Sequence, residues 1–360
     1  MDNSSNHPQP GDLIINNDYL EKKEKELLEI KIIEWNIERG YQIEGILKEL
    51  EKMDADILLI QEIDIDCERS KRINCLTKIA EKLKMSYAYV SEFCELYDKV
   101  RKEKDQGGGV HGNAIFSKFF IDKDKTIAIK HKYQPVIWEK EGYSRKEPRK
   151  GDRYFLASMI EVAKNIFIDV YSIHLEVFCG ITGRIQQFSD VPLYAYNRKK
   201  LVNDNDKLIQ VIGGDLNTMA HGVARFSPKY CGNDWMRLIT IGKSEGKWWL
   251  DNAFCGGSNA VDNLKWWGFT EDVYKNYEYF KGFKDPWEVD KDFTHKDWIW
   301  YNGKLDWLFF RGCEIEDKFI GNDDYSLSDH KYLGILIKLN EKKVTKPTNP
   351  KVNFTQLRTS

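Results

Sequence analysis

The feature that most constrains this chain is a series of short apolar segments of strand length, each with an acidic, amide or imidazole side chain at or near one of its ends. The first two segments, 31–36 and 56–62, end on Asn36 and Glu62, and apolar residues at helical spacing lie between them. A strand, a helix and a second strand within about 35 residues match the size of a βαβ unit. Alternating strands and helices predict a layered α/β or α+β domain.

The same pattern recurs along the chain, in a predicted hairpin over 153–174 and in predicted strands over 208–215, 304–310 and 332–338. A single Asn, Asp or His after a strand is most often a turn former or a surface residue. Its recurrence at the central strands favours a shared site, because strand ends in layered folds meet at one rim where ligands bind. The polar residues at these positions are Asn36, Glu62, His174, Asp215, Asn217, Asp306, Asp329 and His330.

No linker rich in Pro and Gly divides residues 30–340, so we expect them to form one domain. Residues 1–29 are predicted to be a flexible N-terminal arm with a short charged helix, and residues 341–360 a disordered C-terminal tail. The aromatic-rich segment 248–300 has weak periodicity and is predicted to consist of loops with short elements.

Composition excludes several classes of protein. Seven scattered cysteines without a C-x-x-C pair indicate neither a disulfide framework nor a zinc cluster. No apolar run approaches the roughly 18 residues of a spanning helix, and the N-terminus lacks the order of a signal peptide, so we expect a cytoplasmic or nuclear location. A net charge of -2 gives no overall attraction to nucleic acid, although this value is compatible with a local basic groove.

The chemistry of the strand-end groups points to a metal-assisted reaction. Carboxylate and amide oxygens without thiolates suit Mg²⁺, with Mn²⁺ as the alternative ion. Two imidazoles nearby can transfer protons or stabilise the negative charge that develops on a phosphate. Together these groups predict metal-assisted hydrolysis of a phosphate ester.

Six short motifs, in this order over about residues 31–338, resemble the endonuclease/exonuclease/phosphatase superfamily, which includes deoxyribonucleases and apurinic endonucleases. The resemblance identifies no branch. It implies a four-layered αββα sandwich, in which two mixed β-sheets pack face to face with helices outside and the site lies at one edge. The motifs are Trp35-Asn36, Gln61-Glu62, Ile173-His174-Leu175-Glu176, Gly214-Asp215-Leu216-Asn217, Leu305-Asp306-Trp307 and Ser328-Asp329-His330.

The resemblance also implies roles for the metal-binding residues. Glu62 would be the main ligand, with Asn36 beside it, and Asp329 would lie in the shell of metal and water. The implied cofactor is Mg²⁺, with Mn²⁺ as the alternative.

The resemblance assigns catalytic roles to five further residues. Asp215 would orient or deprotonate the attacking water, and Asn217 would bind a phosphate oxygen. His330 would contact the scissile phosphate, in a tautomer held by Asp306. His174 would stabilise the pentacovalent transition state.

The sequence therefore predicts a magnesium-dependent phosphoesterase that hydrolyses a phosphodiester or phosphomonoester by in-line attack of water. Nucleic acid and phospholipid or inositol phosphate are equal alternatives as substrates, and peripheral contact with a membrane and the oligomeric state stay open. Cations between residues 140 and 153 either steer an anionic substrate or belong to a solvated loop. The alternative function is that of a catalytically inactive interaction protein on the same fold.

Overall fold

A computed structural model describes residues 7–21, 29–221, 224–231, 234–239, 243–297 and 301–339 of the chain. The strands are β1 Leu13–Asn16, β2 Glu29–Asn36, β3 Ile57–Ile65, β4 Ser86–Glu95, β5 Gly109–Ser117, β6 Thr126–Lys130, β7 Arg149–Gly151, β8 Tyr154–Ala163, β9 Ile166–His174, β10 Lys207–Asp215, β11 His295–Asp297, β12 Tyr301–Gly303, β13 Asp306–Arg311, β14 Ile315–Gly321 and β15 Tyr332–Lys338. The helices are α1 Ile43–Met53, α2 Cys75–Leu83, α3 Trp138–Glu141, α4 Ile181–Phe188, α5 Asp190–Arg198, α6 Pro228–Cys231, α7 Met236–Ile239, α8 Glu245–Asn252, α9 Gly257–Trp266 and α10 Glu271–Tyr274.

The strands form two large sheets and one small hairpin. The first sheet has the order β1-β4-β5-β3-β2-β15-β14, with β7 added against β4, and the second has the order β13-β10-β9-β8-β6. Strands β2 and β3 are parallel, as are β9 and β10, whereas the other pairs of these sheets are antiparallel. Both sheets are therefore mixed, as predicted.

Apolar side chains divide the molecule into four layers. The outer face of the first sheet packs Trp35 and Phe116 against the apolar faces of α1 and α2. The inner faces of the two sheets meet through residues such as Leu59 and Val211. The outer face of the second sheet packs against α4, α5, α8 and α9, with Phe188 near the centre of that core. The predicted αββα sandwich of an α/β protein is confirmed.

The prediction of a flexible N-terminal arm is wrong for the part of that arm that the structure describes. Residues 13–16 pair with β4 as the edge strand of the first sheet, because Leu13 and Ile15 pack into the core between the sheets. The segment that we predicted as a charged helix lies largely outside the described residues, and the predicted C-terminal tail lies entirely outside them.

The aromatic-rich segment 248–300 is more helical than predicted. It contains most of α8 and all of α9 and α10, which cover the second sheet with buried side chains such as Trp249 and Leu264. The aromatic residues there belong mainly to the core, which explains why no clean amphipathic period is visible. Within the described residues, no helix combines the length and apolar character that crossing a membrane requires.

Candidate active site

Three polar side chains are neighbours at one edge of the second sheet because of strand register. Asp215 at the end of β10 pairs with His174 of the parallel strand β9 and with Asp306 of the antiparallel strand β13. All three residues are buried, and His174 Nε2 lies 3.5 Å from Asp215 Oδ2. Apolar residues along these strands fix the register, and the register in turn brings the polar ends together.

His330 joins this group from the segment before β15. Its Nδ1 atom lies 2.8 Å from Asp306 Oδ2, and its Nε2 atom lies 3.7 Å from Asp215 Oδ2. Burial lowers the pKa of an imidazole, but here the carboxylates of Asp306, Asp215 and Asp329 outweigh burial and raise the pKa of His330 well above its usual value. His330 therefore carries a positive charge next to Asp215 at neutral pH.

Asp215 is held by two amide donors. The backbone N–H of Asn217 donates to its Oδ1 atom at 2.8 Å, and Asn36 Nδ2 donates to its Oδ2 atom at 3.1 Å. Asn217 adopts a φ of +50°, and its Nδ2 atom donates to the carbonyl of Leu175 at 2.9 Å. Burial raises the pKa of Asp215 to about 7, with repulsion from Asp306 adding to the effect and attraction to His330 opposing it.

Glu62 reaches the site from a bulge in the first sheet. The register between β3 and β5 shifts between Ile60 and Ile63, and Glu62 has a φ of +58°. A bulge bends the strand and redirects the side chain within it, and a positive φ is costly outside glycine. Glu62 Oε2 lies 3.7 Å from Arg39 Nε, and the side chain is 20% exposed.

Asp329 lies close to the imidazoles of both His295 and His330. Its carboxylate oxygens are 3.7 Å from His295 Nε2 and 3.8 Å from His330 Nε2. Although burial opposes it, attraction to these imidazoles lowers the pKa of Asp329 to about 2. The backbone N–H of Asp329 donates to Glu38 at 3.1 Å, and burial next to Asp329 and Glu62 raises the pKa of Glu38 to about 7.

One cavity of about 360 Å³ gathers most of the predicted site residues. Glu62, His174, Asp215, Asn217, Asp329 and His330 line it. Asn36 and Asp306 stand behind that lining and contact Asp215 and His330 respectively.

The cavity wall also contains residues that the sequence left without a role, together with Arg149 and Arg153 from the segment where steering of an anionic substrate was one of two alternatives. His111 and His295 supply two more imidazoles, and five cations also line the cavity. His111 comes directly before the Gly112-Asn113 pair inside a buried strand, so a lone buried His in β5 was the available signal. His295 and Lys296 lie in the segment predicted as loops, which gave no signal. The five cations are Arg39, Arg149, Arg153, Lys229 and Lys296.

The donor atoms fit a divalent cation, since carboxylate oxygens and imidazole nitrogens are common metal ligands. Among the residues that the structure describes, three groups place their candidate ligand atoms within 4.8 Å of one another. The expected ligands Glu62 and Asp329 fall in different groups, and the oxygen of Asn36 accepts from the backbone N–H of Glu38 at 3.0 Å. The groups are Glu62, His111 and His174; His295, Asp329 and His330; and Asp215, Asp306 and His330.

Comparison with solved structures gives similar folds at low sequence identity. A protein named as an endonuclease/exonuclease/phosphatase family protein from Leptotrichia buccalis is 13% identical, with 86% of this chain and 100% of that chain covered and a TM-score of 0.50. ANGEL2, named as a 2′,3′-cyclic phosphatase, is 13% identical, with 93% and 99% covered and a TM-score of 0.49. An endonuclease/exonuclease/phosphatase from Beutenbergia cavernae is 14% identical, with 87% and 72% covered and a TM-score of 0.48.

Comparison of the sequence with curated proteins and with family models gives a match to a family model. No curated protein sequence matches the chain. The model of the endonuclease/exonuclease/phosphatase family matches residues 33–330, which is most of the chain and includes every strand that contributes to the cavity. The chain therefore belongs to the endonuclease/exonuclease/phosphatase family.

Proposed function

We propose that this protein is a metal-dependent phosphoesterase that hydrolyses a phosphodiester or phosphomonoester by in-line attack of water. Members of the family are typically hydrolases that act on phosphate esters. The observation that carries the proposal is the contact of Asp215 with both His330 and His174 at the wall of a cavity that five cations help to line.

Asp215 is the proposed group that orients the attacking water and accepts its proton. Its pKa of about 7 supports this role, because a general base works best when its pKa lies near the working pH. His330 is the proposed electrostatic partner of the scissile phosphate, and its hydrogen bond to Asp306 fixes the orientation of the ring.

His174 and Asn217 are proposed to contact the phosphoryl group. Burial, together with Arg153 and His111, lowers the pKa of His174 well below its usual value, so the ring is neutral and acts as a hydrogen-bond donor. Asn217 uses one amide hydrogen on Leu175, which leaves its second hydrogen for a phosphate oxygen.

Glu62, Asn36 and Asp329 remain the proposed residues around a divalent cation. When bound, such a cation supplies Lewis-acid polarisation of a phosphoryl oxygen. The contacts of Asn36 support a further task, since its amide group donates to Asp215 and holds that carboxylate in place.

The cavity wall favours nucleic acid over lipid among the two substrate classes. Phe178 and Tyr230 stack with ring centroids 6.1 Å apart and planes 12° apart, and Lys229 lies 5.1 Å from the centre of each ring. An aromatic surface flanked by cations suits a base and its phosphate. Tyr230 is only half-buried, so a base can reach it.

The test is turnover of a mixed substrate panel in the presence of Mg²⁺ or Mn²⁺. The panel contains single- and double-stranded DNA, RNA, sphingomyelin and inositol phosphates, with Asp215→Asn as the inactive control and Asp262→Asn, an exposed position on α9, as the matched control. We expect the wild type and Asp262→Asn to cleave a nucleic-acid substrate that Asp215→Asn does not cleave. Cleavage of sphingomyelin alone would refute the preference for nucleic acid, whereas silence of a folded, metal-binding protein on every substrate would favour the inactive interaction protein.

A further inference from the structure

Two imidazoles, of His111 and His174, lie near the proposed metal ligand Glu62. Glu62, His111 and His174 each bring one ligand atom to within 4.8 Å of the other two, and all three side chains line the cavity. Neighbouring ligands of one ion are about 3 to 3.5 Å apart when each bond is about 2.1 Å long, and opposite ligands are about 4.2 Å apart. The three side chains would therefore have to close around an ion by up to about 1 to 2 Å as it binds.

The hydrogen bond of His111 prepares its ring for a metal. Its Nδ1 atom lies 2.8 Å from Asp64 Oδ1, and Asp64 also accepts two hydrogen bonds from Arg69, of 2.8 and 2.9 Å. An ionised carboxylate can only accept, so Nδ1 of His111 is the donor and Nε2 has the free lone pair. Carboxylate–histidine pairs of this kind orient metal-binding imidazoles and increase their basicity.

His174 supplies an independent indication that a ligand belongs here. Its ring is buried, and among the described residues its Nδ1 atom has no hydrogen-bond partner. An unpaired polar atom in the interior costs free energy. A ligand in the cavity would remove that cost.

We infer that Glu62, His111 and His174 bind a first-row transition-metal ion, in the series from Mn²⁺ to Zn²⁺, in preference to Mg²⁺. Mg²⁺ takes oxygen ligands, whereas two imidazoles and one carboxylate suit the transition metals. This inference deepens the proposed function by naming the ion class at the same site, and it changes the expectation of Mg²⁺ drawn from carboxylate and amide oxygens alone.

His131 is a matched control within the same chain. Its Nδ1 atom lies 3.0 Å from Asp190 Oδ1, and among the described residues its buried Nε2 atom has no partner. His131 thus repeats the buried Asp–His pair of His111, but it belongs to none of the groups of three candidate ligands found in the described part of the chain. If loss of a buried Asp–His pair affects folding, the effect should appear in both His111→Gln and His131→Gln. An effect on metal binding should appear only in His111→Gln.

The test titrates the metal-free full chain with MnCl₂ and with MgCl₂ by calorimetry, without substrate. We expect the wild type to bind Mn²⁺ at least about 100-fold more tightly than Mg²⁺. His111→Gln should weaken Mn²⁺ binding at least about tenfold and leave Mg²⁺ binding within about threefold, while His131→Gln leaves both within about threefold. Equal affinities for the two ions in the wild type, or Mn²⁺ affinity unchanged in His111→Gln, would overturn the inference.

A spectroscopic measurement on the wild type covers the case in which His111→Gln does not fold. Electron paramagnetic resonance of the bound Mn²⁺ should detect magnetic coupling to two ligand nitrogens, and absence of nitrogen coupling would refute the site. The two proposals fail separately. Mn²⁺ preference without turnover on any substrate overturns only the proposed function, whereas turnover without Mn²⁺ preference overturns only the metal assignment.

Discussion

Two groups of buried charges differ in how well the charges are matched. The first, which we call the arginine network, consists of Asp64, Arg69, Glu95, Arg101 and Arg149. Arg69 donates two hydrogen bonds to Asp64, of 2.8 and 2.9 Å, and Glu95 forms ion pairs with all three arginines. Every carboxylate of the network has at least one guanidinium partner.

The second group, which we call the acid cluster, consists of Glu34, Asp215, Asp306 and His330. Three carboxyl groups share one imidazole, and His330 lies 2.8 Å from Asp306 and 3.7 Å from Asp215. Glu34 is fully buried between the sheets, and neither of its carboxyl oxygens has a hydrogen-bond partner among the described residues. The acid cluster therefore has more carboxyl groups than cations to match them.

Because the charges are matched in one group and not in the other, the pKa values of their buried glutamates shift in opposite directions. Burial raises the pKa of Glu95, but Arg69, Arg149 and Arg101 outweigh burial and lower it well below its usual value. Burial, Asp306 and Asp215 together raise the pKa of Glu34 well above its usual value. Matched charges stabilise one ionisation state and so serve the fold, whereas in the acid cluster the pKa of Asp215 is raised to about 7, which suits catalysis.

Removing the Asp215 carboxylate is expected to have the largest effect on activity. Asp215→Asn should lower kcat by about 10² to 10⁴, the range for loss of a general base. The free energy of unfolding should stay the same or rise, because the amide no longer repels Asp306. Rates on the best substrate of the panel and urea unfolding at pH 7 measure the two quantities. A large loss of stability would contradict this prediction and would show that Asp215, like the carboxylates of the arginine network, stabilises the fold.

Removing an arginine from the network should have the opposite outcome. Arg69→Met leaves Asp64 and Glu95 buried without their main partner, and breaking a buried ion pair costs about 3 to 5 kcal/mol of stability. Urea unfolding measures this loss. Arg72→Met is the matched control, because Arg72 is exposed and its ion pair with Glu68 on the surface contributes about 0 to 1 kcal/mol. Similar losses in the two variants would contradict the assignment of the network to the fold.

Sequence alone located the acid cluster better than the arginine network. Asp215, Asp306 and His330 stand at strand ends, where the change from apolar to polar residues is visible in the chain. Their convergence follows from strand pairing, which the same apolar residues determine. A layered α/β or α+β domain was predictable for the same reason, whereas the two sheets and the four layers followed from the resemblance of the motifs to the superfamily.

The residues that sequence reasoning missed depend on irregular structure. His111 lies where β5 pairs with bulged parts of β3 and β4, and neither bulge is visible in the sequence. Arg149 was not missed but left open between a steering cation and a solvated loop, and the short strand β7 that brings it to the cavity is not visible in the sequence. The strand β1 has only four residues in a polar segment, so its apolar residues were too few to distinguish it from a flexible arm.

Neutralising Asp306 should weaken catalysis through His330. Asp306→Asn is expected to lower kcat by about 10², the lower end of the range for acid–base groups. Because Asp306 raises the pKa of His330, its neutralisation should also move the alkaline limb of the pH–rate profile to lower pH. A purely structural role for Asp306 predicts a lower rate with an unchanged profile. Asp190→Asn, which alters the buried pair with His131 away from the cavity, should leave the profile unchanged.

The last comparison concerns the sign of the pH dependence of stability at Glu34. Its pKa is higher in the folded than in the unfolded state, so its contribution to stability is complete below the unfolded pKa and decreases as pH rises toward the folded pKa. Glu34→Gln should match the wild type in stability at pH 4.5 and exceed it increasingly up to pH 8, by about 1.4 kcal/mol per unit of pKa shift. Urea unfolding in EDTA at several pH values measures the difference.

Glu95→Gln gives the opposite sign within the same experiment. The pKa of Glu95 is lower in the folded state, so its stabilisation is complete above the unfolded pKa and decreases as pH falls through the folded pKa. Glu95→Gln should therefore be less stable than the wild type at pH 7, with a difference that narrows as the solution becomes more acid. If both variants changed in the same direction with pH, mismatch of buried charge would not explain the two regions, because burial alone acts in the same direction on both carboxyl groups.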